Sequence, residues 1–317
     1  MMYLFLIAGF ALLVIGGGML VRGAAALARR LNVSAVIVGM FIVGFGTSAP
    51  ELMICVDAAL AGKTGLALGN VIGSNIANVL LVLGVCALVA PLYVAPRTVY
   101  RDGLVMLVGT VGFAGLTLTG TIGFIEGAVL LGLMLAYSGY AAWAERYGGD
   151  PAAHMHAHEA EVMEDGPESL GASLAFLGAG LAGVLIGAEL VVDGAVDIAR
   201  TFAVPEVVIG LTVVALGTSL PELSTGIIAA MKRQHDFIIG NVLGSNLFNL
   251  FAIMGTTAMV RPVEVPASVA ATDIWVMTGV MGLFVILLVT GWKLSRPEGG
   301  VLLALYVAYM AFLVVGV

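Results

Sequence analysis

Two short segments of this chain put oxygen-bearing side chains into runs that are otherwise apolar. In VGFGTSAPEL, residues 43–52, Thr47, Ser48 and Glu51 stand at i, i+1 and i+4, so two hydroxyls and a carboxylate can share one helical face. In VALGTSLPEL, residues 214–223, Thr218, Ser219 and Glu222 repeat the arrangement. Downstream, GNVIGSNIAN at 69–78 and GNVLGSNLFN at 240–249 supply Ser74 with Asn78 and Ser245 with Asn249, each pair four residues apart. Pro50 and Pro221 lack an N–H, so the carbonyls of Gly46 and Gly217 lose their helical donors, with Ala215 a further candidate. Carboxylate, hydroxyl, amide and carbonyl oxygens form a ligand set for a hard cation, and nothing among them suits a soft metal.

The elements that carry these residues read as membrane spans. Of 317 residues, 61% are hydrophobic and 10% charged, and the mean hydropathy is +1.10, against about 25% charged in soluble proteins. That balance excludes a water-soluble fold. Apolar stretches fall at roughly 2–27, 34–61, 66–90, 100–119, 122–143, 170–199, 205–231, 237–259, 272–292 and 298–316, each long enough to cross about 30 Å of hydrocarbon. The predicted fold is an all-α polytopic membrane protein with ten transmembrane helices. No Lys or Arg precedes the first apolar run, so it reads as a span and not as a secretory signal.

An internal repeat organises the spans. At an offset of 171, Gly39 to Gly84 matches Gly210 to Gly255 at 18 of 46 positions without a gap, and Asp102 pairs with Asp273. The first copy lies on spans two and three and the second on spans seven and eight. Five helices separate them, and an odd number reverses direction through the membrane, so two inverted five-helix repeats are expected. That is an architecture of secondary transporters, with the ion site near the midplane at the repeat interface. The boundaries are 1–143 for the first repeat, 144–169 for an acidic, His-containing linker and 170–317 for the second. Connections on one side hold Lys63, Arg200 and Arg261, while those on the other hold Arg29, Arg30, Arg97, Arg101, Arg146, Lys232, Arg233, Lys293 and Arg296. The positive-inside rule then puts the linker in the cytoplasm and both termini outside, in a plasma or inner membrane.

A carboxylate deep in a bilayer costs at least about 2.5–3.5 kcal/mol by insertion scales, yet Glu51 and Glu222 occur at equivalent depth. A cation or proton role follows for both. The other intramembrane acids, Asp57, Glu126, Glu189, Asp193 and Asp197, lack acidic repeat partners and read as interfacial or helix-pairing groups, with Arg22 a candidate partner for Asp193 or Glu189. Asp102 and Asp273 precede apolar runs and fit helix N-caps. The spacings Gly69/Gly73 and Gly240/Gly244 suit close helix packing. Cys55 and Cys86 lie in apolar segments without CxxC spacing and read as core residues. His154, His156 and His158 alternate among acids in the linker, which reads as a solvated connection. No P-loop and no HExxH occurs, and the four histidines all lie in predicted loops, away from the acids in the spans. An enzyme is therefore not expected, nor a cofactor, nucleic acid or obligatory protein partner beyond the lipid bilayer.

At the two repeats, GTSAPEL with GNVIGSNIAN and GTSLPEL with GNVLGSNLFN, the chain closely resembles the sodium/calcium exchanger family of the cation/calcium antiporter superfamily, in its prokaryotic type. By that resemblance the ion sites map onto Thr47, Ser48, Glu51, Ser74 and Asn78 in one half and Thr218, Ser219, Glu222, Ser245 and Asn249 in the other, joined by the backbone carbonyls of Gly44 and Ala215. The resemblance implies Na+ and Ca2+ as transported ions and alternating access. Exchange of three Na+ for one Ca2+ would make the transport electrogenic. Potassium-dependent relatives carry Asp where this chain has Asn249, so potassium independence is implied. Proton/calcium antiporters carry an acid after their Gly-Asn pair, where Val71 and Val242 stand here. Proton/calcium antiport and a cation channel remain the alternatives.

Overall fold

A computed structural model describes residues 2–31, 33–147, 167, 169–202, 215–267 and 269–315. The His-containing part of the linker and the start of the seventh expected span, 205–214, lie outside the described residues. The helices are α1 (Met2–Leu31), α2 (Ala35–Thr47), α3 (Ala49–Leu60), α4 (Thr64–Val89), α5 (Pro96–Thr117), α6 (Phe124–Tyr147), α7 (Leu170–Thr201), α8 (Ala215–Thr218), α9 (Leu220–Met231), α10 (His235–Val260), α11 (Val269–Gly291) and α12 (Arg296–Val315). Seven of the described helices are long and apolar enough to cross a membrane, or eight when α2 and α3 count as one span bent by 43°. The chain is an integral membrane protein.

Burial sorts the helices by sequence. The apolar window of α10 is wholly buried and that of α4 is 83% buried, against 28% for α7. A helix apolar all round belongs in a core, and these two form the centre. Around them the packing crosses between halves: α3 lies on α4 and the end of α10, while α9 lies on α10 and the end of α4. α2 crosses α10 with backbones in near contact, because a Cβ at Gly39 would meet the Phe237 carbonyl at 2.8 Å and one at Gly44 would meet the Asn241 carbonyl at 3.1 Å. Gly240 and Gly244 seat against Val36 and Met40, as their spacing predicts. The corresponding neighbours of Gly69 and Gly73, at 207 and 211, lie outside the described residues.

Two short antiparallel pairings tie connections together at opposite ends. β1 (Leu92–Tyr93) pairs with β4 (Lys293–Leu294), and β2 (Thr121–Ile122) pairs with β3 (Val263–Glu264). Within α2, α4, α5, α10 and α11, single stretches widen to π-helical hydrogen bonding at Gly39–Val43, Asn78–Leu83, Val99–Gly103, Phe248–Ile253 and Val269–Asp273. Such stretches collect at functional sites, and here they contain Asn78, Asn249, Asp102 and Asp273.

The expected capping role of Asp102 and Asp273 is not what the structure shows. Neither side chain caps a helix, because each lies in a helix already continuous through it. Asp102, fully buried, instead accepts from Arg101 Nη2 at 2.9 Å and from the Tyr137 hydroxyl at 2.7 Å. Asp273 accepts from the Tyr309 hydroxyl at 3.2 Å. Helix-end duty falls to Glu126, which accepts the Gly123 N–H at 3.0 Å, and to Glu298, which accepts the Ser295 N–H at 2.7 Å.

α1 and α7 pack antiparallel along a seam of small residues seven apart. A Cβ on Gly9 would meet the Gly187 carbonyl at 2.8 Å, one on Gly16 the Gly180 carbonyl at 2.9 Å, and one on Gly23 the Ser173 carbonyl at 3.0 Å. That register overturns the expected Arg22 pairing. Arg22 sits near the level of Leu174, and Glu189 is roughly 22 Å further along the helix at 1.5 Å per residue.

A Gly16→Ala substitution puts its methyl 2.8 Å from the Val184 backbone nitrogen, whereas Gly18 has nothing within 4 Å of its Cβ position among the described residues. Gly16→Ala is expected to lower stability in detergent by about 1–3 kcal/mol through overpacking, and Gly18→Ala to leave it unchanged or slightly raised. Paired thermal melts check this, and equal effects would mean that the seam does not limit stability.

Candidate cation site

The site is built where two helices break. Pro50 and Pro221 each occupy the first turn of a new helix, and the residues before those helices leave helical geometry, Ser48 at φ −87°, ψ 9° and Ser219 at φ −90°, ψ 0°. Proline's missing N–H is harmless at a helix start, so breaking the span resolves the conflict. The upstream pieces α2 and α8 thus direct carbonyl ends toward the break. The downstream pieces α3 and α9 direct N-terminal amides toward it and carry Glu51 and Glu222 in their first turns. The positive end of a helix dipole favours a carboxylate there.

The two breaks meet across the halves. Ser48 Oγ donates to Glu222 Oε1 at 3.4 Å, although 174 residues separate them. Ser245 Oγ donates to the Gly44 carbonyl at 3.4 Å, and Thr47 Oγ1 and the Ser48 N–H converge on the same oxygen at 3.4 and 3.1 Å. In the second half the Ser219 N–H turns to Leu216 at 3.1 Å, so it does not serve the Ala215 carbonyl as an i+4 donor. Thr47, Ser48, Glu51, Ser74, Asn78, Ser219, Glu222, Ser245 and Asn249 are all buried, and Thr218 is half-buried.

Several of these groups are left without a partner among the described residues. Glu51 Oε2, Glu222 Oε2, Ser219 Oγ and both amide atoms of Asn249 are buried and make no hydrogen bond. A buried charge is retained only where it is paired or coordinates a metal. Among the described residues no cluster of three or more His, Cys, Asp or Glu could hold a metal. Any cation here would therefore rely on hydroxyl, amide and carbonyl oxygens around two carboxylates, which is hard-cation chemistry.

The family model described as sodium/calcium exchanger protein matches residues 1–143 and 172–315. The chain belongs to the sodium/calcium exchanger family. Among its family relatives, sodium/calcium exchanger MaX1 of Methanosarcina acetivorans is 31% identical over 345 residues, covering 98% of each chain. Inner membrane protein YrbG of Escherichia coli is 36% identical over 307 residues, covering 94% of this chain and 92% of that one. A solved structure of the sodium-calcium exchanger NCX_Mj, soaked with zero Na+ and Ca2+, superimposes with a TM-score of 0.84 at 32% identity, covering 98% of both chains.

Beyond the residues singled out in sequence, the structure of this family member adds Asn246, which bonds directly to Asn78 at 3.1 Å. Its Asn-x-x-Asn spacing within GSNLFN was visible, but nothing local to the sequence says that it reaches across to the other half. The π-helical stretches at Asn78 and Asn249 have no signal in composition or spacing.

Because Glu51 and Glu222 are buried together without compensating cations from the described residues, removing one charge relieves the fold. In chelator and Na+-free buffer, Glu51→Gln and Glu222→Gln are each expected to melt at or above the parent in detergent, by up to about 1–4 kcal/mol. A loss of similar size would show that partners within the chain, and not a bound cation, compensate these charges.

Proposed function

We propose that this chain is an antiporter exchanging Na+ for Ca2+, with its ions bound by Thr47, Ser48, Glu51, Ser74, Asn78, Thr218, Ser219, Glu222, Ser245, Asn249 and the backbone carbonyls of Gly44 and Ala215. The observation that carries this reading is the meeting of the two broken helices, where Ser48 reaches Glu222 and unpartnered carboxylate oxygens stay buried. Family membership supports the choice of ions.

Two carboxylates neutralise one Ca2+. Na+ is close to it in size and takes the same oxygen ligands, so the two ions compete for one site. Three Na+ leave one positive charge in excess, and a potential of 100 mV then biases the exchange by about 2.3 kcal/mol. The vacated site, with two facing carboxylates, resists reorientation, and this couples the fluxes. With Asn249 in place of an acid, no extra carboxylate is available to hold K+.

We assign the chain ten spans in two inverted repeats, 1–143 and 170–317, with a cytoplasmic linker over 144–169 and both termini outside. Alternating access then comes from α1 and α7 moving as a unit against the remaining helices. Their contacts with the site helices are compatible with sliding, since Leu181 seats on Gly46 at 2.7 Å from its Cβ position and Ile228 on Gly17 at 2.6 Å.

The test is radioactive calcium uptake into proteoliposomes loaded with sodium and diluted into sodium-free buffer, with and without potassium and under clamped potentials. Uptake should require the sodium gradient, ignore potassium, respond to potential and fall to background in Glu51→Gln and Glu222→Gln. Uptake that follows a proton gradient instead would replace Na+ by H+ as the counter-ion, and flux indifferent to both gradients would sink antiport in favour of a channel.

A further inference from the structure

An amide is two-faced. Its oxygen can ligate a cation, but its NH2 group repels one, and a side chain such as Asn78 must present the correct end. Asn78 Nδ2 donates to Asn246 Oδ1 at 3.1 Å, across a separation of 168 residues. That bond occupies the nitrogen and turns the Asn78 oxygen away from Asn246. Asn246 is itself fixed. Its own Nδ2 lies 3.7 Å from Met106 Sδ on α5 and 3.7 Å from Met281 Sδ on α11, and thioether sulfurs accept but do not donate. Flipping the Asn246 amide would aim its oxygen at two sulfurs and its NH2 at another NH2. All four side chains are buried, with Met106, Asn246 and Met281 at 0% exposure, so the flip would exchange these contacts for repulsive ones away from bulk water.

The repeat partner of Asn246 does something else. Asn75 donates to the Val71 carbonyl of its own helix at 2.7 Å, and Asn249, the counterpart of Asn78, has no partner on either amide atom among the described residues. The orienting contact thus exists for one of the two site amides, although both halves carry the same residues.

We propose that Asn246 is a positioning residue for cation binding: braced by Met106 and Met281, it locks the Asn78 amide with its oxygen toward the ion. The proposal rests on the cation site described above and adds to it a residue that touches no ion.

A double-mutant cycle on the full-length protein separates this from a packing role. Asn246→Leu keeps the branched shape and heavy-atom count, at a somewhat larger volume, but removes the acceptor, and Asn246→Ala provides a smaller deletion in case either variant folds poorly. Each is combined with Asn78→Asp, whose two oxygens are equivalent and need no orientation. Equilibrium binding of radioactive Ca2+ in detergent is read beside thermal stability in chelator and sodium-driven uptake in proteoliposomes. On the native Asn78 background, Asn246→Leu should weaken Ca2+ binding about tenfold, the low end for groups that orient metal ligands, raising the half-saturating Ca2+ for uptake more than it lowers the maximal rate. On the Asn78→Asp background the same change should cost less than about twofold, a coupling that the cycle isolates. Equal losses on both backgrounds, no loss on the native one, or an Asn78→Asp chain that binds no Ca2+ would each overturn the positioning role. Absence of sodium-driven uptake in the unaltered protein would instead overturn the antiport reading beneath it.

Discussion

Two carboxylates share a low-dielectric interior with too few partners of their own, and the rest of the structure answers to that constraint. Burying one ionised carboxylate costs several kcal/mol even after relaxation, and burying two side by side adds their repulsion. The chain supplies partial compensation. Each acid sits in the first turn of a helix whose second residue is proline, where the positive end of the helix dipole favours a carboxylate. Ser48 donates to Glu222 from the other half. What the described residues leave undone, the second oxygens of Glu51 and Glu222, matches the charge and hardness of the ions proposed to enter.

That arrangement needs two broken helices held within hydrogen-bonding distance, and glycine makes this possible. α2 approaches α10 so closely that a methyl group at Gly39 would overlap backbone atoms of its neighbour. The central helices α4 and α10 are buried on nearly every side, which suits them to be the fixed platform of the proposed movement. The strand pairings at opposite ends join the connections that flank α5 and α11. The glycine-lined pair α1 and α7 has no such strand tie among the described residues.

Much of the site was legible because the polar residues violate their surroundings twice at one offset. Glu51 and Glu222 are conspicuous in apolar runs, and Pro50 and Pro221 announce breaks that the structure shows two residues upstream, at Ser48 and Ser219. Less legible were features set by three-dimensional register. Arg22 and Glu189 looked like partners until the antiparallel glycine seam fixed their separation. Asp102 and Asp273 looked like caps because sequence marks where an apolar run starts, not where a helix starts; α5 begins at Pro96, and the carboxylate of Asp102 turns sideways to Tyr137. Asn246 was hidden for a third reason. Its contact is with a residue 168 positions away, and the repeat suggests that Asn75 should behave alike, which it does not.

The antiparallel seam between α1 and α7 has an electrical side. The two helices have nearly the same length, 30 and 32 residues, and run in opposite directions, so their macrodipoles oppose and largely cancel. A pair built this way can shift along the membrane normal, as the proposed movement requires, while its backbone displaces almost no charge through the transmembrane field. The voltage then acts on the cargo and on the ionised side chains, and the moving backbone adds little gating charge of its own.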